Sequence, residues 1–290
     1  MKKRSWLLLL LIVLCLAALF GYRKFVDLHT DTRAPQIYVD EQPLEISVKD
    51  SRTALLQGVT ASDNVDGDVT DSLVVESVTL QDGDGTISVG YAAFDSAGNV
   101  AKATREARYA DYERPRFTLS GPLIYTLDRS FDVLSTVGAV DAIDGDIQHR
   151  VRATVKGSKS VTTLGVHKVQ FQVTNSLGDT VSEFFPVEVC SPGIYNASLT
   201  LTDYLIYLPK DSPFDAQQYL NSFTWLGEEY SLAGRLPTDY SLRTRGTVRT
   251  GEPGVYAIEY RVTYTDRDER NPEFDRKYTG YSKLIVVVEG

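Results

Sequence analysis

Three times in this chain a glycine opens a run whose apolar side chains recur at every second position. Gly85 leads to Val89, Tyr91 and Ala93. Gly165 leads to Val169, Phe171 and Val173. Gly254 leads to Ile258, Tyr260 and Val262. A period of two places one set of side chains on a single strand face, so each run predicts a half-buried β-strand. The runs return at intervals of about 80–90 residues, which implies three copies of one module. Beyond residue 25 no long 3.6-residue apolar period interrupts this pattern. Short alternating stretches are punctuated by Gly, Asp, Asn and Pro, the signature of an all-β chain.

The first two copies also share their turns. Asp95-Ser96-Ala97-Gly98-Asn99 matches Asn175-Ser176-Leu177-Gly178-Asp179. Each reads as a hairpin turn, begun by an Asp or Asn side chain and closed near a glycine. Upstream, Ala61-Ser62-Asp63-Asn64-Val65-Asp66-Gly67-Asp68 matches Ala139-Val140-Asp141-Ala142-Ile143-Asp144-Gly145-Asp146. Pro35 and Pro115 mark the first two module starts. The modules are therefore placed at 34–111, 114–191 and 193–290, each of a length suited to an immunoglobulin-like sandwich. The third copy has drifted. It carries Trp225-Leu226-Gly227-Glu228-Glu229 where the acidic turn belongs, a long charged loop from Thr265 to Asp275, and a Tyr256 placed like the tyrosine corner of such sandwiches.

Ahead of the modules, Trp6 to Tyr22 is an unbroken apolar or small-residue stretch flanked by Lys2, Lys3, Arg4, Arg23 and Lys24. A cleaved signal peptide and an uncleaved anchor compete for it. Cleavage needs small residues just past the apolar core. Cys15-Leu16-Ala17 lies inside that core, and Leu14 before Cys15 does not suit a lipoprotein site. The favoured reading is a signal anchor over residues 1–24, followed by a stalk at 25–33. The basic end stays inside and residues 25–290 face outward, giving a single-pass cell-membrane protein with an extracellular C-terminal region.

Charge narrows the partners. The chain has 30 Lys and Arg against 39 Asp and Glu, a net charge of −9. The anchor region holds basic residues and no acid, so the exported part is more acidic still. Such a surface repels phosphate backbones, so nucleic acid is not expected as a partner. With 2 Cys and 3 His, a zinc framework or a disulfide scaffold is excluded. Cys190 ends the strand-like run Phe185–Val189 and reads as a structural thiol.

The pattern Ala-x-Asp-x-x-Asp-Gly-Asp, a Gly-opened strand and then Asp-Ser-Ala-Gly-Asn resembles the bacterial Ig-like repeat. That repeat occurs in exported Gram-positive surface proteins and in some pesticidal crystal proteins. The resemblance covers 34–191 well and reaches 193–290 through one strand. It implies β-sandwiches, a cell-surface setting and a spacer, stalk or adhesive role, and it implies no reaction.

Two constellations are candidates for chemistry. Asp63, Asp66 and Asp68 bring three carboxylates close together around Gly67, a density of hard oxygen ligands that suits Ca²⁺. It is not an EF-hand, because the twelfth position from Asp63 is Val74. Sandwich topology puts the acidic turn at the same end as the final hairpin and the module's first strand. This adds Asp95 and Asn99 in the first copy, and in the second it gives Asp141, Asp144, Asp146, Asn175 and Asp179 near Asp111 and Glu113. The other reading of these aspartates, which stays open, is that they bond their own turns while Gly67 takes a positive φ. The second constellation is aromatic. The third module holds most of the 17 Tyr, and Tyr204, Tyr207, Trp225 and Tyr230 are candidates for a face that stacks on sugar or binds protein. Tyr219, Tyr240, Tyr278 and Tyr281 belong to the same surplus.

Catalysis finds little support. His29, His149 and His167 lack a nearby nucleophile motif, and no glycine-rich phosphate loop is present. The expectation is an anchored, non-enzymatic adhesion or spacer protein with cell-wall polysaccharide or a surface protein as partner. The alternatives are a carbohydrate or cell-wall binder acting through the aromatics of module three, or an accessory subunit of an exported complex.

Overall fold

The alternating runs become the central strands of three sandwiches. The computed structural model describes residues 2–127, 130–155, 161, 163–233, 236–267 and 275–290, and side chains within the N-terminal helix at 6 and 10–24. Most of the expected charged loop of module three, residues 268–274, therefore lies outside the described residues.

The first sandwich contains β1 (Gln36–Val39), β2 (Leu44–Ile46), β3 (Val59–Asp63), β4 (Gly67–Asp68), β5 (Val74–Leu80), β6 (Thr86–Phe94) and β7 (Val100–Tyr109). One sheet runs β1-β3-β4 and the other β2-β7-β6-β5, with β2 parallel to β7. The second contains β8 (Arg116–Leu119), β9 (Ile124–Thr126), β10 (Val137–Asp141), β11 (Gly145–Asp146), β12 (Arg152–Val155), β13 (Gly165–Thr174) and β14 (Thr180–Cys190). Its sheets run β8-β10-β11 and β9-β14-β13-β12. The third contains β15 (Ser198–Leu201), β16 (Leu205–Leu208), β17 (Leu220–Trp225), β18 (Glu228–Ser231), β19 (Tyr240–Arg245), β20 (Gly254–Asp266) and β21 (Arg276–Val288). Its order, β15-β17-β18 and β16-β21-β20-β19, repeats the same plan. All three are Ig-like: a three-stranded and a four-stranded sheet, with an early short strand parallel to the last one.

Burial explains the alternation. Val89, Tyr91 and Ala93, then Val169, Phe171 and Val173, then Ile258, Tyr260 and Val262 are all buried. The buried Tyr91 hydroxyl donates to the Leu55 carbonyl and Tyr260 to that of Ala216, so each polar tip is satisfied inside its core. Tyr256 donates to the carbonyl of Glu252, the short upstream bond of a tyrosine corner. Cys190 is buried, and its thiol donates to the Tyr125 carbonyl.

The chain divides into two compact units, Met1–Tyr112 and Glu113–Gly290. Within the second unit the two sandwiches share apolar packing. On β21, Leu284, Val286 and Val288 face the core of the third sandwich, while Ile285 and Val287 join the core of the second, with Phe117, Phe171 and Phe185. One strand thus serves two cores through its two faces. Around this seam, Tyr207 accepts the Phe117 N–H at 2.9 Å under the Arg116 guanidinium, and Arg116 pairs with Glu289. Lys283, almost fully buried, pairs with Glu188 of the second sandwich.

The N-terminal helix α1 runs Lys2–His29, and its described side chains are exposed. Among the described residues, no helix is long and apolar enough to cross a membrane. The expected anchor over 6–22 is therefore not borne out at this level.

Candidate functional site

Two hairpin-like loops meet at one end of the first sandwich, and the acidic turn explains why. The Asp63 carboxylate accepts the Val65 and Asp66 N–H groups at 2.7 and 3.1 Å, and Gly67 turns the chain with φ +75°. Asp68 accepts the Thr70 N–H and begins a short 3-10 turn. Asp66 reaches across to the other loop, accepting the Ser96 N–H and hydroxyl at 2.7 and 2.8 Å. Asp95 accepts the Asn99 backbone and side-chain N–H groups, both at 2.7 Å. Asp66 and Asp68 therefore both accept hydrogen bonds from these two loops.

What remains facing inward is a carboxylate triad. One oxygen each of Asp31, Asp63 and Asp95 lies within 4.8 Å of the others. Oxygens bound to one Ca²⁺ at ~2.4 Å lie no farther apart than this. Asp31 comes from the segment just past the helix, where Asn99 Nδ2 donates to its carbonyl. The Oδ2 atoms of Asp31 and Asp63 are both buried with no hydrogen-bond partner. The backbone N–H groups of Val65 and Asp66 hold the Asp63 carboxyl below its ordinary range, so it stays ionised. Asp31 was missed from sequence because its contribution is spatial. It lies in the stalk, outside every repeated motif.

The second sandwich keeps the turns and changes the charges. Asp141 accepts the Ile143 and Asp144 N–H groups, Asp146 that of Gln148, and Gly145 has φ +69°. Burial pushes the Asp144 carboxyl up, but the Ser176 and Arg150 hydrogen bonds outweigh it and leave the group lowered. Where the first sandwich sets Asp95 against Asp63, here Asn175 donates to Asp141 at 3.0 Å. Asn99 is replaced by Asp179, which is gripped bidentately by Arg114 at 3.0 and 2.7 Å. Within the first unit, Asp111 accepts from the Ser47 hydroxyl and the Val48 N–H. Within the second, the residue that meets this turn from the segment before β8 is the cation Arg114. The second site is neutralised from within; among the described residues, no cation pairs with Asp31, Asp63 or Asp95 at the first.

The aromatic candidates separate into two groups. Trp225 lies 4.5 Å from Tyr278, 4.7 Å from Tyr264 and 6.0 Å from Tyr230, and Tyr240 lies 4.9 Å from Tyr264. These rings close one end of the third core, and Tyr230 is the most exposed of them at 39%. The Trp225 indole N–H is buried without an acceptor. Tyr204 and Tyr207 do not join this face: Tyr204 packs on the core, with its hydroxyl at the Leu201 N–H, and Tyr207 lies in the seam between sandwiches. Sequence reasoning named Tyr240 and Tyr278 only as part of the general surplus and missed Tyr264.

Two histidines, His149 and His167, have described side chains. A concavity of about 520 Å³ holds Ser135, Asp146 and His149, but the Ser135 hydroxyl donates to the Asp132 carbonyl. The His167 ring meets the Thr163 carbonyl.

No family model matches the chain. A stretch of 93 residues is 36% identical to an uncharacterized 81.3 kDa protein of Acholeplasma phage L2, covering 32% of this chain and 12% of that protein. The chain therefore spans about an eighth of that relative's length. Among solved structures, it is similar to the M60 catalytic domain with CBM51-1 and CBM51-2 of Clostridium perfringens ZmpB, at 12% identity and TM-score 0.24, covering 88% of this chain and 43% of that one. It is also similar to the protocadherin GammaB4 extracellular domain, at 12% identity and TM-score 0.20, covering 88% and 50%. Mouse cadherin-23 EC22-24 matches at 11% and 0.21, covering 88% and 99%. Scores this low carry no functional weight.

Proposed function

We propose that this chain is a membrane-anchored, outward-facing surface protein of the bacterial Ig-like repeat type, acting without catalysis as an adhesion or spacer array. The observation that carries this reading is the seam in the second unit. Ile285 and Val287 of the third sandwich complete the core of the second, so two sandwiches are held as one stiff body. A stiff, repeated β body suits holding a surface at a distance. The anchor rests on the apolar run 6–22 with basic residues on both sides, and on the exposure of Leu10, Leu11, Ile12, Val13, Leu14, Leu16, Leu19 and Phe20. At the base of the array, Asp31, Asp63 and Asp95 would hold a Ca²⁺ ion that fastens the stalk to the first sandwich.

Fractionation of cells producing the full chain tests the reading. The chain is expected in the membrane pellet after an alkaline carbonate wash, and protease added to intact cells should trim residues 25–290. Release by carbonate, or protection of the sandwiches in intact cells, would overturn it. A second reading, a cell-wall carbohydrate binder, is favoured by the Trp225 cluster and its unmet indole donor. It predicts that wall polysaccharide changes Trp225 fluorescence and that Trp225→Phe abolishes retention on that polysaccharide.

A further inference from the structure

The outer face of the large sheet in the third sandwich carries charges that sheet physics disfavours. On β19 and β20 the positions alternating with core residues Leu242, Ile258, Tyr260 and Val262 are Arg243, Arg245, Glu259 and Arg261. Arg243 stands directly opposite Arg261, and Arg245 opposite Glu259. Like charges directly opposed across an antiparallel pair destabilise it. Glu259 also faces Lys283 on β21, and Lys283 is already paired with Glu188. Among the described residues, neither Arg243 nor Arg261 has a carboxylate within ion-pair distance. The chain is acidic overall, so this cationic pair is not a consequence of composition.

The same side chains line a concavity. Arg243, Thr244, Arg245, Glu259, Arg261 and Tyr281 enclose about 270 Å³. Its Tyr281 wall is held still: the ring stacks on Tyr195 at 4.8 Å, and the hydroxyl donates to Glu188 of the second sandwich. The Arg261 guanidinium lies near enough to the Tyr195 hydroxyl to oppose the upward push that burial gives its pKa. β19, which carries Arg243 and Arg245, is the edge strand of its sheet. Its volume is below the ~300 Å³ at which drug-sized pockets begin, and it suits one anionic group. Guanidinium forks match trigonal and tetrahedral oxyanions bidentately, with a geometry an ammonium lacks.

We propose that this concavity is an oxyanion site, taking the phosphate or carboxylate group of a small ligand or of a pendant group on a larger one, between Arg243 and Arg261. The bound anion would separate the two guanidiniums electrically and replace their repulsion with charge-assisted hydrogen bonds. The site stands independently of the anchor and of the acidic triad.

The test is calorimetric titration of the full chain, in detergent at constant ionic strength, with inorganic phosphate and separately with glucuronate. Saturable one-site binding of either anion is expected, and which one binds more tightly identifies the ligand as phosphoryl or carboxylate. Arg243→Gln and Arg261→Gln should each weaken it about tenfold or more, while Arg108→Gln on the first sandwich should leave it unchanged. Thermal melting adds a readout that a merely structural role would not give. Without anion, Arg261→Gln should melt at or above the parent, because it removes the opposed charge. With saturating anion, the parent should melt higher. Absence of saturable binding by both anions, or equal affinity in the two Gln variants and the parent, overturns the proposal.

Discussion

A single side chain separates the two acidic ends. Asp95 and Asn175 occupy the same place in their turns, yet Asp95 adds a carboxylate beside Asp63 where Asn175 supplies a donor to Asp141. The consequence is testable by exchange. Ca²⁺ should raise the melting temperature of the parent over its value in chelator, because an ion that binds the folded state stabilises it. Asp95→Asn should remove that rise and, in chelator, melt no lower than the parent. The absence of a calcium-dependent rise in the parent would return all the aspartates to turn chemistry. The converse change, Asn175→Asp, should destabilise the second unit by ~1–3 kcal/mol in denaturant titration, since it deletes a buried donor and faces Asp141 with a like charge.

At the scale of elements, the seam and the tight approach of two sheets make the strongest demands. A Cβ on Gly280 would come within 3.0 Å of Leu199 Cβ and Phe223 Cε2 and 3.2 Å of the Leu199 nitrogen. Backbone and core both lie in the way, so Gly280→Ala should cost ~1–3 kcal/mol as an overpacked site. The Ile285 side chain leaves its own sandwich to fill the next. Ile285→Ala should cost ~2–5 kcal/mol, and calorimetry should show the second and third sandwiches losing stability together rather than the third alone. Separate transitions for these two sandwiches would show that the seam does not couple them.

At the scale of the whole molecule, buried tyrosines set an alkaline limit on the second unit. Burial pushes the Tyr207 phenol up to about 12, and burial raises Tyr125 and Tyr260 as well. A folded-state value above the unfolded one of ~10 means that the native form keeps protons the unfolded chain releases. The associated stability is complete below pH ~10 and falls as pH rises through the folded value near 12. Denaturant midpoints measured from pH 9 to 12 should therefore decline for the second unit, and Tyr207→Phe should make the decline shallower. An unchanged slope in that variant would mean that Tyr207 is not part of the limit. The first unit supplies an internal comparison through Tyr91 and Tyr109, which burial also raises.

The strands of the three sandwiches were legible because alternation is local. Val89, Tyr91 and Ala93, with their two later counterparts, state a strand and its buried face within a few residues of chain. The turns were legible for a similar reason, since Asp63, Gly67, Asp141 and Gly145 act on their immediate neighbours. Other features depended on residues far apart in sequence. That Asp31 joins Asp63 and Asp95, that Arg114 answers the second turn, and that Ile285 and Val287 face a neighbouring core all follow from how strands and linkers meet. A period of two assigns a side chain to one face or the other. What lies against the outer face is settled by tertiary packing, because burial energy depends on the partner surface and the strand pattern carries no record of it.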